Sequence, residues 1–197
     1  MKNLFVLVFS AFLVIPLAGS DRAADSSSHL AGLATSMQHK LQYLQTNARV
    51  PTPNPAPTEF TEEEINAYFA SGNVKLPQGV HSVTLEGEQG MILGNAQVDF
   101  DQLKIGRNSS NPLLSVFSGM HQVTVGAHAH GAGGRGLVHV DSVALDGVVI
   151  PPFLLELFVQ RYLQAKYPGV GLDSQFALPE RVDTATVGVH KLTVTQK

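Results

Sequence analysis

Eight histidines and no cysteine set the chemistry this chain can attempt. Without thiols there is no disulfide, no cysteine nucleophile, no thiolate metal site and no lipidated cysteine. His128 and His130 alternate along a predicted strand and so share one face, and His139 and Asp141 fall on the same face of the strand that follows. Imidazoles at that spacing can share a zinc or copper ion, with an oxygen from the aspartate. A solvated strand face is the simpler reading, because His81, His121 and His190 show histidine used freely elsewhere; a pH-responsive surface needs the same residues. We therefore assign no metal and no cofactor, with His128, His130 and His139 as the alternative metal set. No nucleophile elbow, Walker loop, zincin pair or dinucleotide fingerprint occurs. The glycine-rich GAGGRG at 131–136 sits in a predicted hairpin turn rather than between a strand and a helix, which makes it a poor phosphate cradle. Glu62, Glu63 and Glu64 are explained by a helix start, and Glu156 by the polar side of a helix. The expectation is a protein that is not an enzyme.

The element that organises the rest is Pro152 to Tyr167, PFLLELFVQRYLQAKY, with proline at its first turn and Pro168-Gly169 as its stop. At about 100° per residue its apolar side chains, among them Phe153, Leu154, Leu157, Phe158 and Tyr162, cover most of the circumference. Only Glu156, Gln160 and Gln164 make a polar ridge. Such a helix must be wrapped by something or lie beside an apolar guest, and it is too short and too charged to span a bilayer. Ahead of it, QVTVGAHAH and RGLVHVD read as a hairpin. Treating GAGG at 131–134 as the connection pairs His130 with Arg135, sets Val125 against Val140 and Ala127 against Val138, and puts His139 opposite Gly126. Val123, Val125, Ala127, Val138 and Val140 then share one apolar face, with the histidines on the other.

Elsewhere the pattern is plainer. Lys2, the apolar run Leu4–Leu17 and Ala18-Gly19-Ser20 read as a signal peptide cleaved after residue 20, or else as a retained anchor. Leu30, Leu33, Met37, Leu41 and Leu44 form one face of an amphipathic helix within 21–50. It can pack on the body, pair with a protein partner or a second copy, or lie on a membrane surface. Prolines at 51, 53, 55 and 57 read as an extended linker over 51–58 that holds this helix away from a domain at 59–197. Thr61 and Glu64 form a capping box, with Phe60 and Ile65 as the staple. From Val80 to Val143, and again near SQFALP and ATVGVHKLTVTQ, the period drops to two. Consecutive strands with short connections predict an α+β fold with a mainly antiparallel sheet of roughly six strands. The net charge of −3 gives no basis for binding nucleic acid.

The order FTEEEINAYF, then strands, then VDSVALDGVVIPPFLLELF and FALPERVDTATVGVHKLTV resembles bacterial envelope proteins of the LmeA/YpmS type, over about residues 59–197. These are related to the TULIP and synaptotagmin-like (SMP) lipid-binding domains. The resemblance implies a curved antiparallel sheet wrapped around a long apolar helix, with the N-terminal helix separate and a groove for acyl chains. On that reading the chain is an exported protein, periplasmic or secreted, that binds a lipid or other hydrophobic small molecule. Its groove would be lined by Val123, Val125, Ala127, Val138, Val140, Phe153, Leu154, Leu157, Phe158 and Tyr162. The alternative is a structural or interaction module with a dry core, whose N-terminal helix and proline linker recruit a protein partner.

Overall fold

A capping box starts the most sharply bounded helix in the chain: Thr61 accepts the Glu64 N–H, and the Glu64 side chain accepts the Thr61 N–H. Both orphan donors are satisfied by a reciprocal pair three residues apart, the spacing a capping box requires. The computed structural model describes residues 26–102, 117–164 and 171–197. The predicted leader and the predicted helix stop lie outside these, as does RNSSNP at 107–112, whose composition predicts a loop. Among the described residues the elements are α1 (Ser26–Asn47), β1 (Thr58–Thr61), α2 (Glu62–Ala70), β2 (Val80–Glu88), β3 (Met91–Asp99), β4 (Met120–Ala132) and β5 (Arg135–Leu145). They continue as β6 (Val148–Val149), α3 (Pro152–Phe158), a π-helical segment Val159–Leu163, β7 (Asp173–Ala177), β8 (Val182–Gly188) and β9 (Lys191–Gln196). The fold is α+β, and all nine strands join one open, antiparallel sheet.

β4 is its spine. One edge of β4 pairs with β5, while the other carries β3 and β2 along most of its length and β8, β9 and β1 at its tip. The β4–β5 hairpin differs from expectation by two residues. Its connection is Gly133-Gly134 alone, with φ of 60° and 77°, the left-handed pair that a two-residue type I′ turn demands. Ala127 therefore faces Val140, and Ala129 faces Val138. A slip of two leaves every side chain on its predicted face, whereas a slip of one would have inverted them. A bulge follows, with Asp141 as the extra residue between Val140 and Ser142.

The N-terminal helix does not stand apart. Leu41 and Leu44 are buried with Phe60, Leu178, Val182, Ala185 and Val194. Polar ties reinforce this: Lys40 and Ser36 donate to the buried Glu64 carboxylate at 2.6–2.7 Å. At the C-terminal end of α1, Asn47 donates to Gln196 Oε1 and to Asn54 O, and Asn54 N–H returns to Asn47 Oδ1. The proline segment is thereby strapped to the body, with Pro53 buried, instead of holding the helix off it.

The long apolar helix also differs. It is α-helical for seven residues and then π-helical for five. It packs over one end of the sheet, where Leu154, Leu155, Phe158 and Val159 join Val98, Phe100, Phe117, Leu145 and Ile150. No helix among the described residues is long and apolar enough to cross a membrane.

Candidate functional site

The inner face of the sheet is filled at both ends and not in the middle. Phe60 and Ala185 are each 2% exposed beneath α1, and Phe117 is 2% exposed beneath α3. Between these cores, Val83, Leu85, Ile92, Val123, Val125 and Val138 point inward yet are only half-buried. They border an apolar space of about 230 Å³ whose far wall is Phe69 of α2 with Val74, Leu76 and Pro77. A second cavity of about 110 Å³ lies under Met37, Leu41 and Leu44 of α1. The two adjoin, for Phe69, Val74, Leu85 and Ile92 line both.

Small side chains leave this room. Gly94, Ala96, Ala127 and Ala129 all border the larger space. A Cβ built on Gly94 would meet Leu85 Cδ2 at 3.5 Å, ordinary contact, with nothing closer. The glycines of the filled end behave otherwise. A Cβ on Gly136 would lie 2.5 Å from the Phe176 ring, and one on Gly131 2.8 Å from Leu178. There glycine permits close packing; at Gly94 it leaves volume unused.

Of the residues the sequence nominated, Val123, Val125, Ala127 and Val138 line the larger space together. Val140 shares their face but is buried away from it. The helix residues go elsewhere. Leu154 and Phe158 are core, with the Phe158 ring centroid 4.1 Å from that of Phe117 and 6.1 Å from that of Phe100. Leu157 packs on the same core half-buried, Phe153 is 62% exposed, and the Tyr162 side chain lies outside the described residues. None of the described residues of this helix lines the space; Val80, Ala96, Val98 and Val123 border it on one side and pack in the α3 core on the other. Beyond the hairpin, the walls of the space are β2, β3, Phe69 of α2 and the 74–77 segment, which the sequence reading did not connect to the hairpin. The available signal was Gln89-Gly90 between two alternating runs, with Gly90 at φ 74°.

Charged residues Glu62, Glu86, Glu180 and Lys191 line the smaller cavity. Glu62 accepts the Gly87 N–H at 3.0 Å and His190 Nδ1 at 2.8 Å. Burial alone would raise its pKa, but these bonds outweigh that and hold it below the usual carboxylate range. Glu64 behaves alike: burial opposes ionisation, and Lys40, Ser36 and the Thr61 N–H more than offset it. Burial pushes the Tyr68 hydroxyl up.

The histidine face is organised differently from the metal reading. His128 lies directly opposite His139, and His130 opposite Leu137. His128 Nδ1 bonds Asp141 at 2.8 Å and His139 Nδ1 bonds Asp173 at 2.6 Å, with Asp141 also 3.9 Å from His139 Nε2. Among the described residues no group of three or more histidine, aspartate or glutamate side chains is placed to hold a metal ion. The Asp173 bond raises the His139 pKa. His121, bonded to Asp146, and His190, bonded to Glu62, are raised in the same way.

Compared with protein-family models, with curated proteins and with solved structures, the chain matches none.

Proposed function

We propose that this chain is an exported, non-enzymatic protein of the cell envelope that binds a lipid or other hydrophobic ligand. The ligand would lie between the inner face of β2–β5 and Phe69, Val74, Leu76 and Pro77. The observation that carries this reading is the unfilled apolar space of about 230 Å³ between two well-filled cores. The groove is partly open, so its apolar lining stays half-exposed to water; a hydrophobic guest that covers it gains about 25 cal/mol for each Å² of apolar surface removed from water. The wrapped-helix architecture of LmeA/YpmS-type proteins belongs to the same proposal, with α3 and its π-helical extension packed behind residues that border the groove on one side. The interaction-module alternative loses its main motive, because Leu41 and Leu44 are spent inside the domain and only the Leu30 end of the stripe is exposed.

Native mass spectrometry of protein purified from its own envelope without detergent tests the reading. A discrete adduct of lipid mass is expected, and it should disappear in a folded Val125→Trp variant that fills the space. A bare mass before and after incubation with envelope lipids would overturn it.

A further inference from the structure

The shape and length of the guest follow from the way the two cavities join. Resting on the binding reading above, we infer that the site takes one unbranched hydrocarbon chain. The head stays in water at the mouth of the larger cavity, and the tail ends in the smaller one. Phe69, Val74, Leu85 and Ile92 line both cavities, so a tail passing between them is flanked by these four side chains. They come from α2, the segment after it, β2 and β3, and all four are apolar. Asn95 is the one polar residue bordering the larger cavity, and its side chain is already engaged, accepting the Thr124 hydroxyl at 2.8 Å. The path asks for hydrocarbon and nothing else.

The two ends of that path are unlike. The larger cavity is bordered by Val83, Val125 and Val138, all half-buried, and is the end that water reaches. The smaller is backed by Leu41, Leu44, Phe60, Ala185, Val187 and Val194, all buried. A polar head set among those side chains would lose its hydration, which fixes the direction of the chain. Its length follows from volume. A cavity of about 150 Å³ holds benzene, about 25 Å³ per carbon, so the larger space takes about nine carbons and the smaller about four more. A single chain of about thirteen carbons fills both, which leaves no volume for a second chain beside it.

The test is equilibrium binding of n-alkyl maltosides to the full chain, each below its micelle concentration, with chains of about eight to sixteen carbons. Each added methylene should tighten binding about fourfold up to about thirteen carbons and add little beyond that length. Met37→Trp, from α1, and Leu192→Phe, from β9, each enlarge a side chain that borders the smaller cavity and not the larger. In either variant, once circular dichroism shows it folded, the break should fall to about nine carbons. If the unaltered protein already breaks at about nine carbons, or gains without a break through about sixteen, the chain-length inference is overturned while the apolar site survives. A break that stays at about thirteen carbons in both folded variants overturns it as well, because the tail would not end in the smaller cavity. If no maltoside of any length binds, the binding reading falls with it.

Discussion

Gly94→Ala should make this protein more stable, a direction opposite to that of most changes inside a sheet. Gly94 lies mid-strand in β3, opposite Leu85 and Val125, and its φ is not in the left-handed region. Alanine therefore fits the backbone without strain. Restricting the unfolded chain contributes about 0.4–1 kcal/mol at such a site. The added methyl enters the unfilled space, with Leu85 Cδ2 at 3.5 Å and the Val125 carbonyl oxygen at 3.9 Å, and burying it adds up to about 0.8 kcal/mol. The sum, roughly 1.5 kcal/mol, corresponds to a rise in Tm of about 3–6 °C for a domain of this size. Thermal and urea unfolding followed by far-UV circular dichroism would measure it. Gly136→Ala is the control: its Cβ would fall 2.5 Å from the Phe176 ring, and overpacking of that kind costs about 1–3 kcal/mol. If Gly94→Ala destabilised as Gly136→Ala does, the space beside Gly94 would already be filled and the reasoning would fail.

Other outcomes follow from the same geometry. Lys40→Ala leaves the Glu64 carboxylate, 6% exposed, without its cation; a fully buried pair would lose about 3–5 kcal/mol, and with Lys40 itself 31% exposed we expect about half that in urea unfolding. Phe158→Ala should cost about 3–5 kcal/mol, whereas the exposed Phe153→Ser should stay within about 0.5 kcal/mol; equal effects would refute the placement of α3. Stability should also depend on pH. The pKa values of His121, His139 and His190 are raised in the fold, so their contribution is complete below the unfolded value of about 6.5 and is lost as pH rises through the folded values. Urea midpoints should therefore fall between about pH 6 and the alkaline side, and a triple His→Gln variant should flatten that limb. At the acid end, Glu62 and Glu64, whose pKa values are lowered, contribute above the unfolded carboxylate value and lose that contribution as pH falls through their folded values.

Local signals were legible where a short stretch settles its own conformation. The Thr61/Glu64 capping box, the alternation of β2 to β5 and the inner face of the hairpin all follow from side chains within a few residues of one another. The hairpin register was not, because GAGG permits both a four-residue and a two-residue connection and both keep the faces. The helix at 152 misled for a related reason. Apolar side chains all round say that a helix is covered, but not by what, and here one side meets an aromatic core while Phe153 stays in solvent. The strap on α1 was hidden altogether. It depends on Asn47 meeting Gln196 at 2.7 Å, a pairing across nearly the whole chain that no local pattern encodes.

The gap in the middle follows from how one strand serves two cores. Along its inner face β4 runs Val123, Val125, Ala127, Ala129, Gly131. Val123 reaches the α3 core. Gly131 lets β8 come so close that a Cβ there would lie 2.9 Å from that of Ala185. The side chains shrink toward the tip because the opposing layer closes in, and close packing requires it. At Val125 and Ala127 neither core reaches across, and a larger neighbour at Gly94 could have bridged the distance without a clash. The sequence thus forgoes apolar burial at a position where it was sterically available. Such a gap is what the apolar guest proposed above requires, and a folded Gly94→Ala variant that gains stability and loses the guest would tie the two together.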